Sequence, residues 1–363
     1  MAKKNRVALL IPSLKVGGSE RVMSILANEI LAGHDADVDI IAYGPDREVF
    51  YPLHEDVRVL QPEFDFHGAP RILSTLRTLA FVRKTVKAGR YDALLSFGER
   101  WNSFVMLACA GLGQRIILSD QSSPQVDLGW VQSRLRHLLY PRAYGLIAQT
   151  SQYRDMALKK KFHTNIEVIP NPVLERPRVQ EEDRKNVILS VGRLISTKHH
   201  DRLISNFAAL GADDWELVIV GDDSQRQEHR GRLEKLAGQL GVAERVHLVG
   251  AQSNVQRYYG SARVFAFTSS SEGLPNVVAE ALAAGLPVVS YDCVAGPSDL
   301  VRHDYSGYLV DVFDDEQFCQ HLQVLLTDND KRISMSANAR ESMAGFLPDK
   351  IATRFYRFMV GDA

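Results

Sequence analysis

Short apolar runs alternate with amphipathic stretches along nearly the whole chain. In the first half, Arg6–Pro12, Val38–Tyr43, Ala93–Phe97, Arg115–Leu118, Gly145–Thr150 and Glu167–Ile169 read as β-strands. They are rich in Val, Ile and Leu, as expected of parallel strands buried on both faces. Between most of them apolar positions recur at helical spacing, as in Glu20–Leu31 and Ile72–Ala88. Pro170-Asn171-Pro172 breaks the pattern, and the charged, proline-containing stretch Leu174–Lys185 reads as a linker. Alternation resumes with Val187–Val191, Glu216–Val220, Val246–Leu248, Val264–Thr268 and Pro287–Ser290. The pattern predicts an α/β protein of two successive doubly wound units, residues 1–172 and 173–346, each with a parallel sheet. A last helix, about Asp349–Phe358, is assignable by pattern to either unit. Ligands of such sheets sit beyond the carboxyl ends of the strands. Chemistry is therefore sought in loops that follow strands, with a cleft expected between the two units.

Composition narrows this picture. The 363 residues are 45% hydrophobic and 24% charged, which allows a sizeable core without disulfides or metals. Cys109, Cys293 and Cys319 are odd in number and widely spaced, so neither a disulfide framework nor a zinc site is indicated. The opening MAKKNRVALLIPSL has a basic tip and a short apolar run. It lacks a cleavage site and leads into a glycine turn, so it predicts a first strand rather than a signal peptide. No run reaches the roughly 18 apolar residues of a membrane span. The expected location is a reducing cytoplasm.

The net charge of −1 hides an asymmetry: residues 71–161 carry 15 Lys and Arg against 5 Asp and Glu. Such a stretch suits an anionic partner surface. Arg71, Arg77, Arg83, Lys84 and Lys87 interleave with Ile72, Leu73, Leu76, Leu79 and Phe81, and Trp130, Arg134, Arg136 and Lys159-Lys160-Lys161 extend the stretch. Two readings stay open. One is peripheral attachment to an anionic membrane, the inner face of the cytoplasmic membrane, presenting a lipid-linked acceptor. The other is a solvated helix face over an ordinary core. No nucleic-acid recognition module accompanies the basic residues, so nucleic acid is not an expected partner.

Four loops carry candidate chemistry. Gly17-Gly18-Ser19-Glu20 follows the first strand; two glycines let the backbone turn close to a ligand, and Ser19 is placed to cap a helix whose N–H groups favour an anion. The same residues also suit an ordinary strand-to-helix turn. Arg193 and Lys198 follow the first strand of the second unit, where two cations can hold a diphosphate and stabilise it as it leaves. Thr268 closes a strand, and Glu272-Gly273-Leu274-Pro275-Asn276 leads into a helix bearing Glu280 one turn on. Carboxylates beside a diphosphate suit hydroxyl partners: sugar hydroxyls at Glu272, ribose hydroxyls at Glu280. Gly296-Pro297-Ser298-Asp299-Leu300 is placed to border a sugar pocket, or is a plain turn. Asp37-Val38-Asp39 matches a metal–diphosphate pattern but precedes its apolar run, the wrong end of a strand. His199-His200-Asp201 lacks further ligands at metal spacing. Dinucleotide, P-loop and nucleophile-elbow motifs are absent.

The spacing of Glu272 and Glu280 resembles the Glu-x7-Glu signature of retaining glycosyltransferases of family 4, which have the GT-B fold. Gly17-Gly18-Ser19-Glu20, Val168-Ile169-Pro170-Asn171-Pro172, Arg193 with Lys198, Glu272-Gly273-Leu274-Pro275 and Ser306-Gly307-Tyr308-Leu309-Val310 resemble further family motifs in the family's order. The resemblance implies GT-B architecture: two facing Rossmann-like domains with a central cleft, and a last helix, about 347–363, packing back onto the first. It implies a metal-independent, cofactor-free transfer with retention. Arg193, Lys198 and Glu272 would be catalytic, and Gly17, Gly18, Gly273, Leu274, Pro275, Asn276 and Glu280 would bind the donor. The stretch Ser119-Asp120-Gln121-Ser122-Ser123-Pro124 stands where the family faces its acceptor; it has no histidine, and Asp120 is the residue expected to face the acceptor hydroxyl. Asp292-Cys293-Val294-Ala295-Gly296-Pro297 resembles members that build bacterial surface polysaccharides, lipopolysaccharide or capsule, from UDP-hexoses or UDP-N-acetylhexosamines on glycan or lipid-linked acceptors. A sugar-nucleotide epimerase of the same fold and a non-catalytic nucleotide-sugar-binding subunit are the competing classes.

Overall fold

The structure, a computed structural model, describes residues 4–66, 68, 70–121, 123–223 and 228–361. Ser122, residues 1–3 and residues 362–363, which figure in the readings above, lie outside the described residues. The chain divides into two compact units, one of residues 1–172 with 346–363, the other of residues 173–345.

Seven strands form the sheet of the first unit: β1 (Asn5–Ile11), β2 (Ala36–Ala42), β3 (Arg58–Leu60), β4 (Ala93–Phe97), β5 (Ile116–Asp120), β6 (Gly145–Ala148) and β7 (Ile166–Val168). Their order is β3-β2-β1-β4-β5-β6-β7, and every neighbouring pair is parallel. Alternation along β1 shows why both faces bury apolar residues. Val7, Leu9 and Ile11 enter one core, whereas Ala8 and Leu10 enter the other. Helix α1 (Gly18–Gly33) supplies Val22, Met23, Leu26 and Ile30 to the first core. On the opposite face lie α2 (Arg71–Gly89), α3 (Glu99–Ala108), α4 (Trp130–Leu139) and α5 (Ser151–Lys159).

The second unit holds β8 (Val187–Val191), β9 (Glu216–Val220), β10 (Val246–Leu248), β11 (Val264–Phe267), β12 (Val288–Tyr291) and β13 (Gly307–Val310). These too are all parallel, in the order β10-β9-β8-β11-β12-β13. Its helices are α6 (His200–Ala209), α7 (His229–Gln239), α8 (Gln256–Ser261), α9 (Asn276–Ala283), α10 (Pro297–Leu300), α11 (Asp315–Thr327) and α12 (Asn329–Ser342). Strand order reverses direction between β1 and β4 in one sheet and between β8 and β11 in the other. These are the topological switch points, where crevices open at the carboxyl edge.

The last helix, α13 (Pro348–Val360), belongs to the first unit. Pro348 suits its first position and Gly361, at φ 86°, ends it. Ile351, Ala352, Phe355, Tyr356 and Met359 enter the core shared with α1. Asn5 Nδ2 donates to Tyr356 Oη at 2.8 Å, and Arg115 Nη1 to the Val360 carbonyl at 2.5 Å.

Sequence periodicity missed β3 and β13, which are three and four residues long, although β7 and β10 are as short and were read as strands. It also started β2 late: Asp37 and Asp39 lie within that strand, not before it. Asp37 lies near its amino end and Asp39 at its middle, so neither stands at the carboxyl edge. Asp39 is buried and accepts from Arg58 Nε at 2.8 Å and from Tyr91 Oη at 2.6 Å.

Candidate active site

The β8 and β11 loops meet at the switch point of the second unit. Beyond Val191 the backbone of Gly192 runs so close to Gly221 that a Cβ on Gly221 would strike the Gly192 carbonyl oxygen. A 3-10 turn, Ser196–Lys198, then leads into α6. Thr268 Oγ1 donates to the Lys198 carbonyl at 2.8 Å, and the Ser270 amide to the Thr197 carbonyl at 2.9 Å. These bonds tie the two loops together and bring Lys198 Nζ onto Glu272 Oε1. Ser269 Oγ donates to the same oxygen at 2.5 Å. The pair is largely shielded, with 16% and 15% of the side chains exposed, which strengthens a charge-assisted bond. Arg193 lies on the same loop, exposed, with no side-chain partner among the described residues.

The loop after Glu272 is held from below. Leu274 and Pro275 are buried, and Asn276 opens α9, whose N-cap residue Pro275 has no side-chain group to cap it. An uncapped helix start favours an anion. Gly296 adopts φ +99°, and a Cβ there would hit Pro275 Cδ and come within 2.6 Å of the Gly273 carbonyl oxygen. The segment opening α10 therefore packs directly on Gly273-Leu274-Pro275. Cys293, in the same segment, is buried; burial first, then the charge of Glu272, push its thiol up to about 12. Glu280 stands one turn into α9 with Arg176 Nη2 3.6 Å from its Oε1.

His200 starts α6 directly after these loops. It is buried, and neither ring nitrogen has a well-formed hydrogen bond. Burial and the nearby charge of Lys198 lower its pKa to about 4, against a smaller pull from the carbonyls of Arg193 and Gly192. Among the described residues no three His, Cys, Asp or Glu side chains are grouped so as to hold a metal ion.

In the first unit, α1 begins at Gly18 with Gly17 at the N-cap. Ser19 lies inside the helix and makes no capping bond, contrary to its expected role. Gly17 has an extended backbone, and a Cβ there would meet only the Glu20 carboxylate, the movable end of a flexible side chain, so the position does not itself demand glycine.

Asp120 also departs from expectation. It is 1% exposed and turned into the core, not toward an acceptor. Its Oδ1 accepts from Asn102 Nδ2 at 2.7 Å and Tyr140 Oη at 2.9 Å; its Oδ2 accepts from Arg136 Nη2 at 2.7 Å and from Tyr153 Oη. Burial raises its pKa, opposed by Arg136 and the tyrosine donors. Four donors suit an ionised carboxylate, which only accepts.

What opens at the β1/β4 switch point instead is a crevice of about 250 Å³ lined by Ser19, Glu20, Glu99, Arg100, Trp101 and Gln121. The sequence reading missed Glu99, Arg100 and Trp101. Their signal was available: strand Ala93–Phe97, then Gly98, then an acidic helix start, the arrangement that had singled out Gly17-Gly18.

Comparison with known proteins fits this layout. Residues 16–174 match the family model Glycosyltransferase Family 4, and residues 174–342 match Glycosyl transferases group 1. The chain is 28% identical over 352 residues to the GalNAc-alpha-(1->4)-GalNAc-alpha-(1->3)-diNAcBac-PP-undecaprenol alpha-1,4-N-acetyl-D-galactosaminyltransferase of Campylobacter jejuni, with 94% of each chain covered. It is 26% identical to the amylovoran biosynthesis glycosyltransferase AmsD of Erwinia amylovora, covering 93% of this chain and 95% of that one. Among solved structures, Anabaena HepE in complex with UDP superposes with a TM-score of 0.80 at 18% identity, covering 98% of this chain and all of that one. Two doubly wound units, matched in succession by these models, show that the chain belongs to the group 1 and family 4 glycosyltransferases and has the GT-B fold.

Proposed function

We propose that the protein moves a hexose or N-acetylhexosamine from a UDP-linked donor to a glycan or lipid-linked saccharide, with retention of configuration, in bacterial surface-polysaccharide or glycoconjugate synthesis. The observation that carries this reading is the shielded Lys198–Glu272 pair at the β8/β11 switch point, beside the uncapped start of α9. A nucleotide sugar presents a diphosphate joined to a ring of hydroxyls. Lys198, the exposed Arg193 and the first amides of α9 supply positive charge where the diphosphate would gather negative charge on leaving. Glu272 then accepts from a sugar hydroxyl and Glu280 from the ribose. As the bond from the anomeric carbon to the phosphate oxygen breaks, its electron pair stays on that oxygen. The acceptor hydroxyl bonds to the anomeric carbon from the same face and passes its proton to the departing phosphate. This chemistry calls for no metal, because side-chain cations and amides do the metal's electrostatic work.

The relatives support the substrate classes: one is named for an undecaprenol-diphosphate-linked saccharide, another for a polysaccharide, and HepE was solved with UDP and with UDP-glucose. Trp101 with Glu20 and Glu99 suits an acceptor sugar, the indole for the apolar ring face and the carboxylates for hydroxyls. Peripheral membrane attachment is part of the proposal. No helix among the described residues is long and apolar enough to cross a membrane. The adjoining helices α2, α3 and α4 nevertheless expose Ile72, Leu76, Leu107, Trp130, Val131 and Leu138 within the cationic stretch.

The test of donor class is a thermal-unfolding screen with UDP-, GDP- and ADP-sugars, followed by assay of the best donor with lipid-linked saccharides and anomeric analysis of the product. UDP-sugars should protect most, and the product should retain the donor configuration. An inverted product would overturn the mechanism, and protection by GDP- or ADP-sugars alone the choice of nucleotide.

A further inference from the structure

Arg176 sits in the irregular stretch before β8, about a hundred residues from the donor loop in sequence, yet its guanidinium stands at Glu280. Nη2 is 3.6 Å from Glu280 Oε1, and the two side chains are only 10% and 14% exposed. Three contacts fix the cation. Its Nη1 donates to Gln256 Oε1 at 2.6 Å. Its guanidinium carbon lies 5.9 Å from the ring centre of the buried Tyr259, within cation–π range. Arg340 Nη1 donates to the Arg176 carbonyl at 2.9 Å and so clamps the backbone beneath it.

An arginine on a free surface loses much side-chain entropy when it holds one position, which is why exposed pairs contribute little. Here packing and two hydrogen bonds have already fixed the position. The separation from Glu280 exceeds hydrogen-bond length, so the attraction aims the carboxylate without engaging it in a hydrogen bond to the arginine.

We infer that Arg176 is a positioning residue for the donor nucleotide: it holds the Glu280 carboxylate in the orientation that accepts the ribose hydroxyls. The inference rests on the ribose role proposed for Glu280. Without the cation, the carboxylate loses the charge that aims it and meets the ribose in the binding orientation less of the time. Contacts to the diphosphate and the base are untouched.

Ribose discrimination reads this directly. Calorimetry on the full chain would compare UDP with 2′,3′-dideoxy-UDP, or the matching GDP or ADP pair if those stabilise the protein more. Wild type should prefer the ribonucleotide about ten- to a hundred-fold, the usual worth of hydrogen bonds to a charged group. Glu280→Gln should lose most of that preference. Arg176→Ala should lose it likewise, through weaker UDP binding with dideoxy-UDP unchanged. Donor KM should rise by the same factor while kcat at saturating donor stays near wild type. Arg176→Lys and Gln256→Ala should fall between, and they carry the test if Arg176→Ala does not fold.

A purely structural role would weaken both nucleotides equally; an intact preference in Arg176→Ala and Gln256→Ala, with loss in Glu280→Gln, overturns the Arg176 inference alone. No preference in wild type, or one that survives Glu280→Gln, overturns the ribose role of Glu280 and the inference with it.

Discussion

Lys198 and Glu272 neutralise one another, so each has something to exchange when a substrate arrives. A diphosphate is a stronger partner for Lys198 than one carboxylate, and Glu272, held by Ser269, is then left to a sugar hydroxyl. Lys198→Ala is expected to lower kcat by about 10²–10³-fold, the usual cost of one transition-state charge contact, with little change in thermal unfolding. Wild-type turnover in that variant would end the proposal. His200, two residues on, makes a prediction about acid. Its folded pKa of about 4 lies below the ordinary 6.5, so the unfolded chain takes up the proton first. The stability gained by burying it neutral is whole above pH 6.5 and is lost as pH falls toward 4, by about 3 kcal/mol. Denaturant titrations of wild type and His200→Leu should differ by that slope; parallel pH profiles would contradict it. At this scale residue types were legible and partners were not. Lys198 and Glu272 each follow a strand in the sequence, but their meeting depends on hydrogen bonds from the β11 loop to the 3-10 turn.

Elements account for Asp120. It ends β5, while its donors come from α3, from the turn after α4, from α4 itself and from α5. One carboxylate therefore ties several helical segments to the carboxyl edge of a sheet. Asp120→Asn leaves Arg136 buried without its counter-charge and is expected to cost about 3–5 kcal/mol, seen as a large fall in melting temperature. Turnover of the folded fraction should remain near wild type; a loss of turnover without loss of stability would return Asp120 to the acceptor side. The sequence shows an acidic residue after a strand, the usual address of chemistry, but gives no sign that Tyr140 and Tyr153 turn inward to claim it. Most strands were legible within a residue or two, and β4, β8, β9 and β10 match in both bounds. β3 and β13 were not, and length is not the reason, since β7 and β10 are equally short; both show as strands through their pairing to β2 and β12.

For the molecule as a whole, α13 could not be assigned by pattern, since any amphipathic helix fits either sheet. Packing decides it. Phe355 is fully buried among residues of α1 and the first sheet, and Phe355→Ala is expected to cost about 3–5 kcal/mol. Differential scanning calorimetry should place that loss in the first unit, and a shift confined to the second would contradict the assignment. The exposed apolar and cationic face of α2 to α4 makes a second prediction at this scale. The protein should float with anionic liposomes at physiological salt, and Trp130→Ala with Val131→Ala should weaken that without altering soluble-substrate turnover; failure of wild type to float would refute attachment.

The position of α13 also sets a timetable for biosynthesis. A ribosome releases residues 1–172 first, but on the side of their sheet that α1 covers, the core lacks its second helix until residues 348–360 appear. At about 5–20 residues per second, that wait is roughly ten to thirty-five seconds. The second unit, continuous in the chain, has time to fold in the interval. The half of the protein born first is thus the half finished last, and until then the face of α1 and the sheet that α13 will cover is the surface a nascent-chain chaperone would be called on to guard.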